Sequence, residues 1–205
     1  MRLRTLLLVF AIIAAAFLLW PRNPAPGPIL NAPPGAGPIV CFGDSLTRGR
    51  GAEPEESYPA VLARLLGRDV LNRGRDGETS KSALERLDED VVSLSPSIVI
   101  ITLGGNDMLQ RLPIADTVGS LRKIFERLLA AHAMVVFLAI HPPFVGDERM
   151  NKVKDLCREL GVLYVDSVMD GMWRDHRLMS DNIHPNAAGY RIMAERVREA
   201  LGEHL

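Results

Sequence analysis

The sequence predicts an α/β fold, a sandwich of helices around a five-stranded parallel sheet. Short apolar runs rich in β-branched residues alternate along the chain with amphipathic runs of helical period. The apolar runs show no polar alternation, so both faces of each strand are buried, as in a parallel sheet covered by helices on either side. The length of 205 residues suits one domain with a full core, and 47% hydrophobic with 24% charged residues is the balance of a globular chain.

The elements follow in order. Ile39-Val40-Cys41-Phe42 reads as the first strand, stopped by Gly43. Residues 58–66 read as a helix, with Ser57 as N-cap and Pro59 in the first turn, and Val70-Leu71-Asn72 as a short second strand. A helix is expected over 80–94. Residues 97–103 form the third strand around Ile98-Val99-Ile100-Ile101, ended by Gly104-Gly105. Asp116 is expected to cap a helix running to Ala131, with Leu121, Ile124, Phe125, Leu128 and Leu129 on one face. A strand over 134–140, a helix over 148–160 closed by Gly161, a strand over 162–165 and a final helix over 186–201 complete the pattern.

Ahead of this domain lie two segments of different character. Arg2 and Arg4 precede an uninterrupted apolar stretch ending at Trp20, the pattern of an export signal or membrane anchor. About 16 helical residues span roughly 24 Å, and snorkelling by Arg4 and Arg22 closes the gap to a ~30 Å hydrocarbon core. The small-x-small triplets Ala25-Pro26-Gly27 and Gly35-Ala36-Gly37 are each followed by proline, which fits a scissile bond badly, so residues 1–20 read as an uncleaved membrane anchor in preference to a signal segment, whose cleavage would leave the enzyme secreted. Residues 21–37, dense in proline and glycine, read as an extended linker to a domain over 38–205. The arginines on the N-terminal side put that domain outside the cytoplasm, at the periplasmic or extracytoplasmic face.

Composition removes several function classes. There are 24 Lys+Arg against 25 Asp+Glu, a net charge of -1, and 5% aromatic residues, so neither a basic field nor a stacking platform for nucleic acid is present. The two cysteines, Cys41 and Cys157, form no CxxC, which argues against a metal site and leaves two buried thiols, or a disulfide in an exported domain.

Three blocks carry chemistry: Gly43-Asp44-Ser45-Leu46, Gly104-Gly105-Asn106-Asp107 and Asp181-Asn182-Ile183-His184-Pro185-Asn186. The first two follow the first and third strands, where ligands bind in open α/β sheets, beyond the carboxyl ends of the strands. Ser45 supplies a hydroxyl that needs a base to become a nucleophile. His184 is that base, and Asp181, three residues earlier, holds its tautomer and stabilises the imidazolium. Attack on an acyl carbon creates an oxyanion, for which the N–H of Ser45, a glycine N–H and the Asn106 amide are the donors. No GxSxG elbow is present, which argues against the α/β-hydrolase fold.

Over residues 38–201 the chain resembles the SGNH (GDSL) hydrolases. Its serine block, its asparagine block and the Asp181/His184 pair match theirs, and Gly77 within Asn72-Arg73-Gly74-Arg75-Asp76-Gly77-Glu78-Thr79 corresponds to their oxyanion glycine in preference to Gly74. The resemblance implies a flavodoxin-like three-layer fold and metal- and cofactor-free hydrolysis of small acyl esters or thioesters, lipid-derived ones among them. Gly43-Asp44-Ser45-Leu46-Thr47 and Ser57-Tyr58-Pro59 resemble the small bacterial arylesterase, thioesterase and lysophospholipase branch. A carbohydrate O-deacetylase of the cell envelope is the alternative within this chemistry; a non-catalytic binding domain and an acyltransferase stand further off.

His141-Pro142 echoes His184-Pro185, but Leu138 stands where a carboxylate partner would be. His141 is therefore expected at most to line the substrate pocket. Asp44 and Asp107 are expected to shape their loops. The mixture of Arg48, Arg50, Arg73, Arg75 and Arg111 with Glu53, Glu55, Glu56, Asp76 and Glu78 reads as a solvated rim.

Overall fold

Among the described residues, five strands lie in one parallel sheet of order β2-β1-β3-β4-β5, with β1 Ile39–Gly43, β2 Val70–Gly74, β3 Ile98–Thr102, β4 Met134–Leu138 and β5 Leu163–Val165. The structure is a computed structural model that describes residues 27–143, 148–202 and 204–205. The expected membrane helix over 1–20 and the start of the linker lie outside those residues. Among the described residues, no helix is long and apolar enough to cross a membrane.

The helices are α1 Ser45–Arg48, α2 Tyr58–Leu66, α3 Ser80–Asp90, α4 Gly105–Leu109, α5 Ile114–Ala130, α6 Arg149–Leu160 and α7 Ala187–Leu201. The longer ones, α2, α3, α5, α6 and α7, form the outer layers because strand side chains alternate between faces. Val40, Phe42, Val99, Ile101, Val135 and Phe137 face α3, α5 and α6, whereas Ile39, Cys41, Ile98, Ile100, Met134 and Val136 face α2 and α7. β1, β3 and β4 are buried along their whole length, as their unbroken apolar runs predict. Cys41 and Cys157 are free and buried in the cores on opposite faces of the sheet. Burial pushes the Cys41 thiol up to about 12, and Cys157 rises for the same reason.

Several expected boundaries shift. α3 stops at Asp90 rather than 94: the β-branched Val91, fully buried, leaves helical geometry at φ -128, and a 3₁₀ turn follows over Val92–Leu94. α5 begins at Ile114 behind Pro113, so Asp116 is not its cap but an acidic residue in its first turn, where it suits the helix dipole. Ser57 occupies the N-cap position of α2, yet its hydroxyl donates to the Pro54 carbonyl at 2.7 Å instead of capping. The short α1 and α4 were not expected, because neither is long enough to show a helical period.

The described part of residues 21–37 is also not a free extended linker. Ile29 and Ala32 pack against the α2/α7 core, and Leu30 N–H donates to the Gly161 carbonyl at 2.8 Å. The Asn31 amide donates to the carbonyls of Leu129 and Ala133 at 3.1 and 2.9 Å. These contacts lie just before β4 and β5, at the N-terminal end of the sheet.

Candidate active site

Chain order places the topological switch point between β1 and β3, where successive connections leave to opposite sides. Ser45 follows β1 and Asn106 follows β3, so both blocks flank the crevice. Gly43 ends β1 beside Thr102, and Asp44 accepts from the Leu46 N–H at 3.0 Å, capping α1. That cap sets Ser45 at the first turn of a helix. Gly74 at the end of β2 lets α1 approach closely: a Cβ there would lie 2.1 Å from Arg48 N.

Asn106 is set by a second short helix. Gly104 precedes α4 at φ 100, a conformation that favours glycine. Asp107 is buried, accepting from the Ser80 N–H at 2.9 Å and the Thr117 hydroxyl at 3.0 Å, and it also takes the Ser80 hydroxyl. It therefore ties α4 to the start of α3 and to α5, as a scaffold residue should.

The third block is a loop pinned at both ends. Met179 bridges Pro185, Ser180 N–H donates to the His184 carbonyl at 2.9 Å, and Asn186 caps α7 through the N–H groups of Ala188 and Gly189. Asp181 Oδ1 accepts from the backbone N–H of Ile183 and His184 at 2.8 and 2.7 Å, while its Oδ2 lies 2.7 Å from His184 Nδ1. On the other side of the imidazole, His184 Nε2 lies 3.0 Å from Ser45 Oγ. With Nδ1–H held by a carboxylate, Nε2 is left to accept the serine proton. Burial works to raise the Asp181 carboxyl, but the hydrogen bonds from His184 and the Ile183 N–H prevail and hold it below its ordinary value. His184 itself is buried, 6% exposed.

Ser45, His184, Gly77 and Asn106 line one cavity of about 200 Å³, together with Leu46, Met108, Leu109, Ile140, Trp173 and Ile183. The Asn106 amide lies 3.4 Å from Asp44 Oδ2. Burial, reinforced by the Asp107 and Glu78 carboxylates, pushes Asp44 up to about 7, against the lowering effect of the Leu46 N–H. The apolar wall was not legible in the motifs. Met108, Leu109 and Ile183 sit beside motif residues, and Ile140 follows β4. Trp173 comes from a turn region with no period to announce it.

Two expectations need correction. His141 does have a carboxylate partner: its Nε2 is 3.0 Å from Asp166 Oδ1 and 3.3 Å from the Tyr164 hydroxyl. The partner follows β5, out of reach of any local spacing rule. His141 lines a smaller neighbouring cavity that shares Gly105, Met108, Ile140 and Pro142 with the first, not the cavity of Ser45. The charged rim is also only partly solvated. Arg48 pairs with Asp76 and Arg75 with Asp90 at the surface, but Glu78 is buried against Arg86.

The sequence and the fold have known counterparts. The chain is 28% identical over 171 residues to thioesterase 1/protease 1/lysophospholipase L1 of Escherichia coli K12, covering 80% of this chain and 82% of that protein. An arylesterase of Vibrio mimicus is 28% identical over 181 residues, covering 82% of this chain and 89% of the arylesterase. The crystal structure of TesA superposes with a TM-score of 0.75 at 27% identity, over 82% of this chain and 99% of that one. Residues 41–192 match the GDSL-like lipase/acylhydrolase family, and the chain belongs to that family.

Proposed function

We propose that this ester hydrolase works through Ser45 as nucleophile, His184 as general base and acid, and Asp181 as the group that orients and stabilises the imidazolium. The observation that carries the reading is the continuous chain Ser45 Oγ–His184 Nε2 at 3.0 Å and His184 Nδ1–Asp181 Oδ2 at 2.7 Å, opening on an apolar cavity. In the first step the Ser45 hydroxyl proton passes to His184 Nε2 as Oγ bonds to the acyl carbon. The N–H groups of Ser45 and Gly77 and the Asn106 amide receive the oxyanion. Collapse breaks the bond to the leaving alcohol or thiol, which takes the proton from His184. Water, deprotonated by His184, then attacks the acyl-enzyme and releases the acid and Ser45.

The substrate class we infer is a short-chain carboxylic ester or thioester. The cavity of about 200 Å³ is below the ~300–1,000 Å³ common for drug-sized ligands, and its wall is largely apolar. Ser45→Ala should abolish hydrolysis of p-nitrophenyl acetate while the circular dichroism spectrum is retained. Full activity in that variant ends the reading. Across a series of p-nitrophenyl esters, kcat/KM should peak among acetyl to hexanoyl. An optimum at dodecanoyl or longer refutes the short-chain assignment.

We further infer that residues 1–20 hold the enzyme at the outer face of the cytoplasmic membrane. The support is the arginine-flanked apolar run and the prolines after both candidate cleavage sites. The described chain enters the domain at the N-terminal end of the sheet, opposite the cavity. Intact mass of the membrane-extracted protein tests this: loss of the N-terminal segment excludes the anchor.

A further inference from the structure

We infer that a buried arginine–glutamate clamp, Arg86 with Glu78, sets the oxyanion geometry by fixing the Gly77 loop against the nucleophile turn. The inference rests on Gly77 donating its N–H to the oxyanion, as proposed above.

Gly77 has no side chain to anchor it, and a backbone hydrogen bond from the Glu78 N–H to the Arg75 carbonyl at 3.4 Å closes the turn around it. It is exposed, sits at φ 74, and a Cβ built on it would meet nothing within 4 Å. A loop apex of this kind takes its position from its flanks. Both flanking residues are carboxylates, and each is held by an arginine: Asp76 by Arg48 at the surface, Glu78 by Arg86 in the interior. The two arms differ sharply in burial. The Arg48 and Asp76 side chains are 62% and 33% exposed, those of Arg86 and Glu78 only 7% and 5%. Solvent screens the first pair, so the second carries the positional constraint.

Arg86 reaches more than the carboxylate. Its Nε donates to Glu78 Oε2 at 2.6 Å, and its terminal nitrogens donate to the Arg73 carbonyl at 2.9 Å, to Asp90 Oδ2 at 2.8 Å and, at 3.4 Å, to the Gly43 carbonyl. Its guanidinium also stacks over the Phe42 ring, 4.3 Å from the centroid. Phe42 and Gly43 are the last residues of β1 before Asp44-Ser45, and Arg73 is near the end of β2 before the Gly77 loop. The Gly43 carbonyl is shared with the Arg75 N–H at 2.9 Å. One planar group thus registers the end of the nucleophile strand, the end of the neighbouring strand and the residue next to Gly77. A lysine, with a single point of charge, cannot satisfy these partners together.

Arg86 and Glu78 are positioning residues. Neither lines the cavity, and both act through the Gly77 N–H. Their loss should appear in transition-state binding alone. A displacement near 1 Å costs roughly 10²-fold in rate, so Glu78→Gln should lower kcat by about 10- to 10²-fold with KM unchanged. Affinity for a boronic acid, which forms a tetrahedral adduct on Ser45, should fall in parallel. Glu78→Gln keeps side-chain volume and an acceptor for Arg86 Nε, so it remains the deciding variant even where Arg86→Met does not fold. Asp76→Asn, in the screened arm, should cost less than Glu78→Gln.

The experiment compares Glu78→Gln, Asp76→Asn and Asn106→Ala on p-nitrophenyl acetate, with urea unfolding of each. A lower urea midpoint for Glu78→Gln with unchanged kcat and boronate affinity means a purely structural pair and overturns the inference. If Asn106→Ala lowers kcat in that case, the oxyanion reading stands without the clamp. If neither substitution lowers kcat, the oxyanion assignment fails and the clamp with it.

Discussion

Replacing Asp44 by asparagine should destabilise the protein slightly in acid and stabilise it near neutral pH and above. The Asp44 carboxyl is buried, 4% exposed, and its pKa is pushed from 3.8 to about 7. The folded state therefore binds a proton more tightly than the unfolded state, and ν_N exceeds ν_U between these two values. Stability contributed by this group is fully present below about pH 4 and lost as pH rises to about 7. A difference near three pKa units corresponds to about 4 kcal/mol, at up to ~1.4 kcal/mol per pH unit. Asparagine can still accept from the Leu46 N–H, but its amide nitrogen would face the Asn106 amide in place of Asp44 Oδ2, 3.4 Å away. That mismatch costs about 1 kcal/mol. The unfolding free energy of Asp44→Asn minus that of the wild type should thus rise from about −1 kcal/mol at pH 4 to about +3 kcal/mol at pH 8. Urea unfolding at one-unit pH steps measures it, and the subtraction cancels the titration of distant groups. A difference that stays flat across pH 4–8 refutes the argument.

The other predictions concern the base and the docked segment. Asp181→Asn offers His184 Nδ1 an amide and permits the wrong tautomer, so kcat should fall about 10³- to 10⁴-fold with little change in KM; stopped-flow hydrolysis of p-nitrophenyl acetate checks it. Asn31→Ala removes two hydrogen bonds to carbonyls at the end of α5 and before β4, at a residue with φ 59 that asparagine tolerates better than alanine. It should lower the urea-derived stability by about 1–3 kcal/mol and leave kcat/KM on soluble esters unchanged.

How much of the site could be read from residues alone depended on the range of the interaction involved. Asp181 and His184 are three apart, so one turn of chain brings carboxylate to imidazole, and the spacing by itself announces the pair. Ser45 and Asn106 were locatable because each follows an apolar strand, and the strand ends of a parallel sheet face one crevice. His141 shows the limit of the same reasoning. Its carboxylate, Asp166, follows a different strand, and nothing near His141 in the chain signals it.

The sequence by itself determined the layer order and the chemistry. Buried β-branched runs can only be the interior strands of a covered sheet, and the amphipathic runs between them must cover it, because apolar surface has to leave water. Serine, imidazole and carboxylate are the residue types acyl transfer needs. Tertiary structure alone decided the packing-dependent features. It put Cys41 and Cys157 on opposite faces, because alternate residues of β1 point apart and Cys157 belongs to a helix of the far layer. Docking against the ends of β4 and β5 turned part of the proline-rich segment from a spacer into structure. Glu78, formally a surface charge, is buried because the arginine that neutralises it comes from the next helix and also reaches two strand ends. Contacts between separate elements are set by the three-dimensional register of the sheet, and one-dimensional spacing carries no record of it.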